Sequence, residues 1–387
     1  TSSTPALVKK RQPSTSGDWS KPRFNSWKLV MGSGPDADNL SGIQSSQNAR
    51  VFEIDLRYLV TTPAAVLTEP SMAGTAGVDL GVASSFTGDL LSVDWNRDLI
   101  DDVAYFGIVE GDALVPTGRM MRRHYTGSYS GSNSTLLNTA QAFVTAPLPF
   151  IDGENRRWLF FGSGRLFSRE DLSSNVQQAF YGVKELGLSY ENLSNNTYAP
   201  SSLIDTTDIQ VHHTTDVRNA TIDGTAITAF DDLEEVMKSK HGWRFNFDFD
   251  GTTPSARNLF QATQFVATIL FPVYTPPNGG SCEIGSSTVY QLYTKTGTAP
   301  AFDSAYVSQQ SSDGKIFTND GIVSKVNLLK HAGILETLDN RTHSQGRITS
   351  KASTGEWILD DVVTLGEKLN SLLDGRNSWR QIFDWEE

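Results

Sequence analysis

The sequence has 387 residues, 38% of them hydrophobic, with 32 Gly, 20 Phe, 11 Tyr and 8 Trp. That is enough for one large all-β domain or two ordinary ones, and the aromatic- and Gly-rich composition excludes a disordered chain. A formal charge of −12 excludes a phosphate backbone as partner, which needs surplus Lys and Arg, and makes cations the natural guests.

The chain starts at Thr1 without Met and shows no signal peptide, so targeting segments and whole upstream domains are expected to precede it. No apolar run approaches the length of a membrane-spanning helix; the longest lies near 265–273. Residues 1–26 are rich in Ser, Thr, Pro and Lys without an apolar period, and read as a flexible tail or linker. The folded domain is expected over 27–387.

From Trp27 onward one pattern repeats: a short apolar strand containing Gly, a polar loop, then a second strand. WKLVMGSG at 27–34, DVAYFGIV at 102–109 and RWLFFGSG at 157–164 are the first members. ARVFEIDL at 49–56, QAFYGVKE at 178–185 and TVYQLYTKTG at 288–297 alternate with the period of half-buried strands and read as their antiparallel partners. Repeated strand pairs with variable loops indicate a β-propeller or another modular β array of about four or five units. A polar insertion is expected at about 187–241, ending in the helix-like DDLEEVMKSK at 231–240, and a closing segment at about 355–387.

Chemistry concentrates in DWNRDLIDD at 94–102. Asp94, Asn96, Asp98 and Asp102 stand at positions 1, 3, 5 and 9 of a loop, with the Ile100 carbonyl at position 7, a spacing that lets hard oxygens converge on Ca²⁺. The loop lacks the Gly at position 6 and the Glu at position 12 of an EF-hand, where Leu99 and Tyr105 stand, and it carries Arg97. Strand-like sequences flank it, so it reads as a calcium loop between strands; the competing reading is an acidic turn that binds nothing. Asp248 and Asp250 form a weaker cation candidate, and the adjacent His212 and His213 point to opposite sides of a strand. A single Cys282 rules out an internal disulfide; it is either a buried free thiol or half of a bond to a missing partner. No catalytic residues emerge: GxSxG, HExxH and CxxC are absent, although paired carboxylates distant in sequence stay open as a hydrolytic device.

Taken in order, LVMGSGPDADN with ARVFEIDL, SFTGDLLSVDWNRDLIDDVAYFG, RRWLFFGSGRLFSREDLSSNVQQAFYGVKE, GWRFNF, CEIGSSTVYQLYTKTG and NSWRQI resemble the C-terminal domain of the PilY family, type IV pilus tip-associated adhesins. The resemblance spans most of 27–382. It implies a modified quinoprotein-like β-propeller, incomplete in this chain, with Ca²⁺ held by Asp94, Asn96, Asp98, the Ile100 carbonyl and Asp102. It also implies an extracellular place at the pilus tip, with minor pilins or other tip proteins as partners, contact with host or abiotic surfaces, and a part in pilus assembly, retraction control and twitching motility. Catalysis is not implied. The alternatives are a quinone-dependent dehydrogenase, disfavoured because vicinal cysteines are absent, and a structural propeller without a metal.

Overall fold

The computed structural model describes residues 3–11, 25–35, 45–56, 77–168, 170–189, 192–193, 195–211, 216–249, 251, 254–265, 267–277 and 285–301, with the backbone of four later strands. The first sheet is an antiparallel meander of β1 (Ala6–Arg11), β2 (Asn25–Gly32), β3 (Arg50–Asp55) and β4 (Val78–Asp79). The second repeats that plan with β5 (Ser85–Val93), β6 (Val103–Gly111), β7 (Pro116–His124) and β8 (Asn133–Thr139).

The third sheet starts with β9 (Leu148–Ile151), β10 (Arg157–Gly162) and β11 (Ala179–Glu185). Before its fourth long strand the chain makes a hairpin, β12 (Gly187–Ser189) with β13 (Asn192–Leu193), then β14 (Ile204–Asp205) and a small sheet of β15 (Gln210–Val211), β16 (Asp216–Ile222) and β17 (Thr225–Ala229). Helix α1 (Phe230–Lys238) follows, and β18 (Gly242–Asn246) then pairs with β11, while β14 adds to β18 in parallel. The fourth sheet is β19 (Thr263–Phe265), β20 (Thr268–Thr275), β21 (Ser286–Tyr293) and β22 (Lys315–Asp320); β23 (Asn327–His331), β24 (Ile334–Asp339) and β25 (Ile348–Thr349) form a fifth.

The core lies between consecutive sheets. Ala6, Val8, Val30 and Val51 of the first sheet pack with Leu90, Ala104, Phe106 and Ile108 of the second. The opposite face of the second, with Val103, Tyr105, Met120 and Leu136, meets Leu159, Phe161, Tyr181 and Val183 of the third. Trp158, Phe160, Phe180 and Trp243, on the other side of that sheet, meet Ile269, Phe271, Val273, Tyr290 and Leu292 of the fourth. Alternation by one residue therefore assigns each strand's side chains to two different neighbours, which is why these strands are apolar at both parities. Successive four-stranded meanders packed face to face make an all-β, propeller-like fold. Close packing also explains the mid-strand Gly107: a Cβ there would lie 2.2 Å from the Phe143 carbonyl oxygen.

The expectation of a flexible tail over 1–26 needs correction, because β1 lies inside it. Ala6 and Val8 alternate with Leu7 and Lys9, so Val8 is fully buried against the second sheet. The polar residues around this short strand mask its period. The helix expected at 231–240 runs Phe230–Lys238 and buries Phe230, Leu233 and Met237. Lys184 holds its C-terminal end: the ammonium donates to the carbonyls of Met237, Lys238 and Lys240, the end where a cation is favoured. Burial nonetheless lowers the Lys184 pKa to about 8, with a smaller push from Arg156. Asp250, His212, His213, Cys282 and the segment 355–387 lie outside the described residues.

Candidate functional site

The loop 94–102 joins β5 to β6, so its two ends are held by the ladder that pairs Val93 with Val103. Asp94 organises its first half. Its Oδ1 accepts the N–H of Arg97 at 2.6 Å and of Asp98 at 3.2 Å, and its Oδ2 accepts that of Leu99 at 2.7 Å. Asn96 Oδ1 accepts the Asp98 N–H at 2.8 Å and Asp98 Oδ1 the Ile100 N–H at 2.9 Å. Each short polar side chain thus turns back on the backbone two to five residues ahead, the habit that makes Asp and Asn loop formers.

This winding requires left-handed backbone at two side-chain-bearing residues, Arg97 (φ 62°) and Leu99 (φ 70°). Leu99 holds the conformation for which an EF-hand loop reserves glycine at its sixth position. The missing glycine noted in the sequence has not changed the turn. Both residues are exposed, Leu99 at 56%, so the Arg97 charge lies at the surface of the loop.

Asp102 anchors the other end. It is buried; Oδ2 accepts the Trp95 N–H at 2.8 Å and Oδ1 the Thr126 hydroxyl at 2.9 Å. Desolvation raises its pKa, against these hydrogen bonds, which favour the anion. Trp95 is buried beside it, with its indole N–H donating to the Tyr105 hydroxyl at 3.0 Å. Tyr105 in turn donates to Glu185 at 2.7 Å, and Arg122 pairs with the other oxygen of Glu185 at 2.7 Å, both side chains fully buried. The loop is in this way bolted to the interface between the second and third sheets.

A second attachment runs to the first sheet through Asp101, which spacing alone did not single out. Its carboxylate accepts the Lys9 N–H at 2.6 Å, and its own N–H donates to the Lys9 carbonyl at 2.9 Å. The Ser92 hydroxyl donates to the Leu7 carbonyl at 2.8 Å. Strand β1 therefore closes against the loop and the adjoining part of β5. Neither Asp101 nor Lys9 nor Thr126 carries a local signal for this, since the partners lie 92 and 24 residues apart.

The donors suit calcium in kind: carboxylate, amide and carbonyl oxygens are the hard ligands it takes. Each carboxylate oxygen also keeps acceptor capacity beyond the N–H groups it receives. Among the described residues, however, no group of three or more His, Cys, Asp and Glu side chains is gathered into a ready metal centre. Asp102 is turned toward Trp95 and Thr126 while Asp94 serves the loop backbone.

No family model matches the chain. A type IV pilus biogenesis factor PilY1 homolog of Xylella fastidiosa is 24% identical over 168 residues, 42% of this chain but only 11% of that protein's length. Among solved structures, the Pseudomonas aeruginosa PilY1 C-terminal domain superposes with a TM-score of 0.52 at 16% identity, covering 84% of this chain and 68% of that one. A thermostable family-43 glycoside hydrolase reaches 0.28 at 11% identity, covering 89% and 96%, and carries no argument. The resemblance to the PilY family and the all-β propeller-like fold are borne out by these two PilY1 relations.

Proposed function

We propose that this chain is a non-catalytic propeller module of a type IV pilus-associated protein, and that its loop 94–102 takes a calcium ion. The observation that carries the calcium reading is the winding of the loop: three consecutive N–H groups folded onto Asp94, with Leu99 in the left-handed turn of a calcium loop. The ion would be held by Asp94, Asn96, Asp98, the Ile100 carbonyl and Asp102. Its two positive charges would offset the mutual repulsion of these carboxylates and the desolvation of Asp102.

The consequence would reach beyond the loop, because Asp101 clasps Lys9 on one side and Trp95 leads to Glu185 on the other. Ordering the loop would then stiffen the contacts among three sheets, a means of coupling calcium to the state of a surface protein. The PilY1 relations support an association with type IV pilus biogenesis; within that reading the proposal places the chain outside the cell at the pilus tip, in assembly, retraction control and surface attachment, with minor pilins as partners and host or abiotic surfaces as further contacts.

Calcium titration by calorimetry tests the site. The wild type should give saturable heat at or below millimolar calcium, and Asp98→Ala and Asp102→Ala should each bind at least ~10-fold more weakly, about 1.4 kcal/mol. Heat from the wild type no greater than from the variants overturns the calcium reading. Binding of purified minor pilins, absent with an unrelated propeller as control, tests the pilus reading separately.

A further inference from the structure

The second and third sheets each meet a neighbour on both faces, and both are apolar at both parities. The first sheet has the same two-sided pattern with one face accounted for. Its inner face carries Ala6, Val8, Val30 and Val51 against the second sheet. Its register places a second apolar set on the opposite face: Leu7 across from Leu29, Leu29 across from Ile54, Met31 across from Phe52, and Trp27 across from Lys9.

None of these outer residues belongs to a hydrophobic cluster of the described residues. Leu7 is 47% and Trp27 43% exposed, and the Lys9 ammonium lies 5.6 Å from the centre of the Trp27 ring. A sheet with one solvated face alternates apolar with polar residues, and β2 does not. This face is built to be covered by something apolar, and it carries a cation.

We propose that the stretch 356–387 of this same chain docks on the outer face of the first sheet. Its sequence complements that face twice over. It carries four aromatic residues, Trp357, Trp379, Phe383 and Trp385, among many aliphatic ones. It also holds eight acids against three Lys or Arg, whereas residues 1–28 hold six Lys or Arg against one acid. In a chain with a formal charge of −12, an acidic stretch would meet Lys9 on the outer face, whereas Lys28, on the inner parity, is already paired with Glu53, and a tether within one chain brings the acidic stretch to that face at high effective concentration. Docking would place apolar surface over Leu7, Leu29 and Trp27 and set carboxylates beside Lys9.

Hydrogen–deuterium exchange on the full chain tests this. In the wild type, 356–387 should be protected, and Leu29→Glu should speed its exchange at least ~10-fold, the rate factor of about 1.4 kcal/mol, while β10 and β11 keep theirs. Leu7→Glu, on the edge strand, should act in the same direction without disturbing the sheet interior. A stretch that exchanges at the unprotected rate in the wild type, or one indifferent to both variants, overturns the proposal. Carbodiimide cross-linking of mixed unlabelled and ¹⁵N-labelled chains identifies the occupant: links from Lys9 to carboxylates of 356–387 within one copy support it, and mixed-label links show instead that a second copy covers the face.

Discussion

Glu185 and Asp94 are both carboxylates held against the second sheet, yet their surroundings differ in kind. Glu185 is fully buried, receives Arg122 and the Tyr105 hydroxyl, and has its pKa pushed up by desolvation while Arg122 pulls it back. Asp94 is half-buried and receives backbone N–H groups of its own loop. The buried pair has exchanged water for fixed partners on two sheets, so removing either partner strands a charge in a dry interface. The loop acid has exchanged water for local, replaceable partners. One arrangement holds sheets together; the other shapes a single loop.

Breaking the buried side of this contrast should have the largest effect. Glu185→Ala leaves Arg122 uncompensated and should cost about 3–5 kcal/mol in urea unfolding, whereas Asp94→Ala should cost far less without calcium. Equal losses would dissolve the distinction.

Next comes pH. His124 is buried beside the same network, donating to or accepting from Ser134 at 2.9 Å, and desolvation, with a smaller push from Arg122, lowers its pKa from 6.5 to about 4. The unfolded chain then binds a proton that the folded one refuses. Stability should fall as pH drops from about 6.5 to 4, by up to roughly 3 kcal/mol. His124→Gln should flatten that part of the profile in thermal melts, and an unchanged slope would show that the interface tolerates the charge.

A smaller effect is expected at the clasp between loop and first strand. Asp101→Ala removes the acceptor of the Lys9 N–H and should cost about 1 kcal/mol, seen as faster exchange in β1 with β6 and β7 unaffected. The smallest is Leu99→Gly. Relief of a left-handed leucine, worth about 1–2 kcal/mol, is offset by the roughly 0.5–1 kcal/mol entropy cost of glycine. A net gain of a few tenths should appear in urea unfolding of the calcium-free chain, with calcium affinity unchanged because the turn is left-handed before any ion binds; a loss of stability would mean that the leucine side chain has a task in the loop.

Strands were legible wherever apolar residues ran without interruption. RWLFFG and AFYGVKE are β10 and β11, paired from Arg157 with Glu185 to Gly162 with Phe180. The tail reading failed at β1 because, among its described side chains, Ala6 and Val8 alone are buried, set among Ser, Thr, Pro and Lys. In the loop, spacing located the acids at 94, 96, 98 and 102 but ranked Asp102 as a ligand like the others. The fold makes it a buried anchor for Trp95 and Thr126. Asp101, passed over for lying outside the ligand spacing, became the link to Lys9.

By itself the sequence determined what depends on neighbours a few residues apart: the strands with uninterrupted apolar runs, a helix close to Phe230–Lys238, and the acidic loop between β5 and β6. Those follow from local periodicity and from short polar side chains bonding nearby backbone. Tertiary structure decided which parity of each strand meets which neighbouring sheet, and that Glu185 would find Arg122 and Asp101 would find Lys9. Such pairings close between residues 63 and 92 positions apart, and their energies depend on burial, which no local pattern encodes.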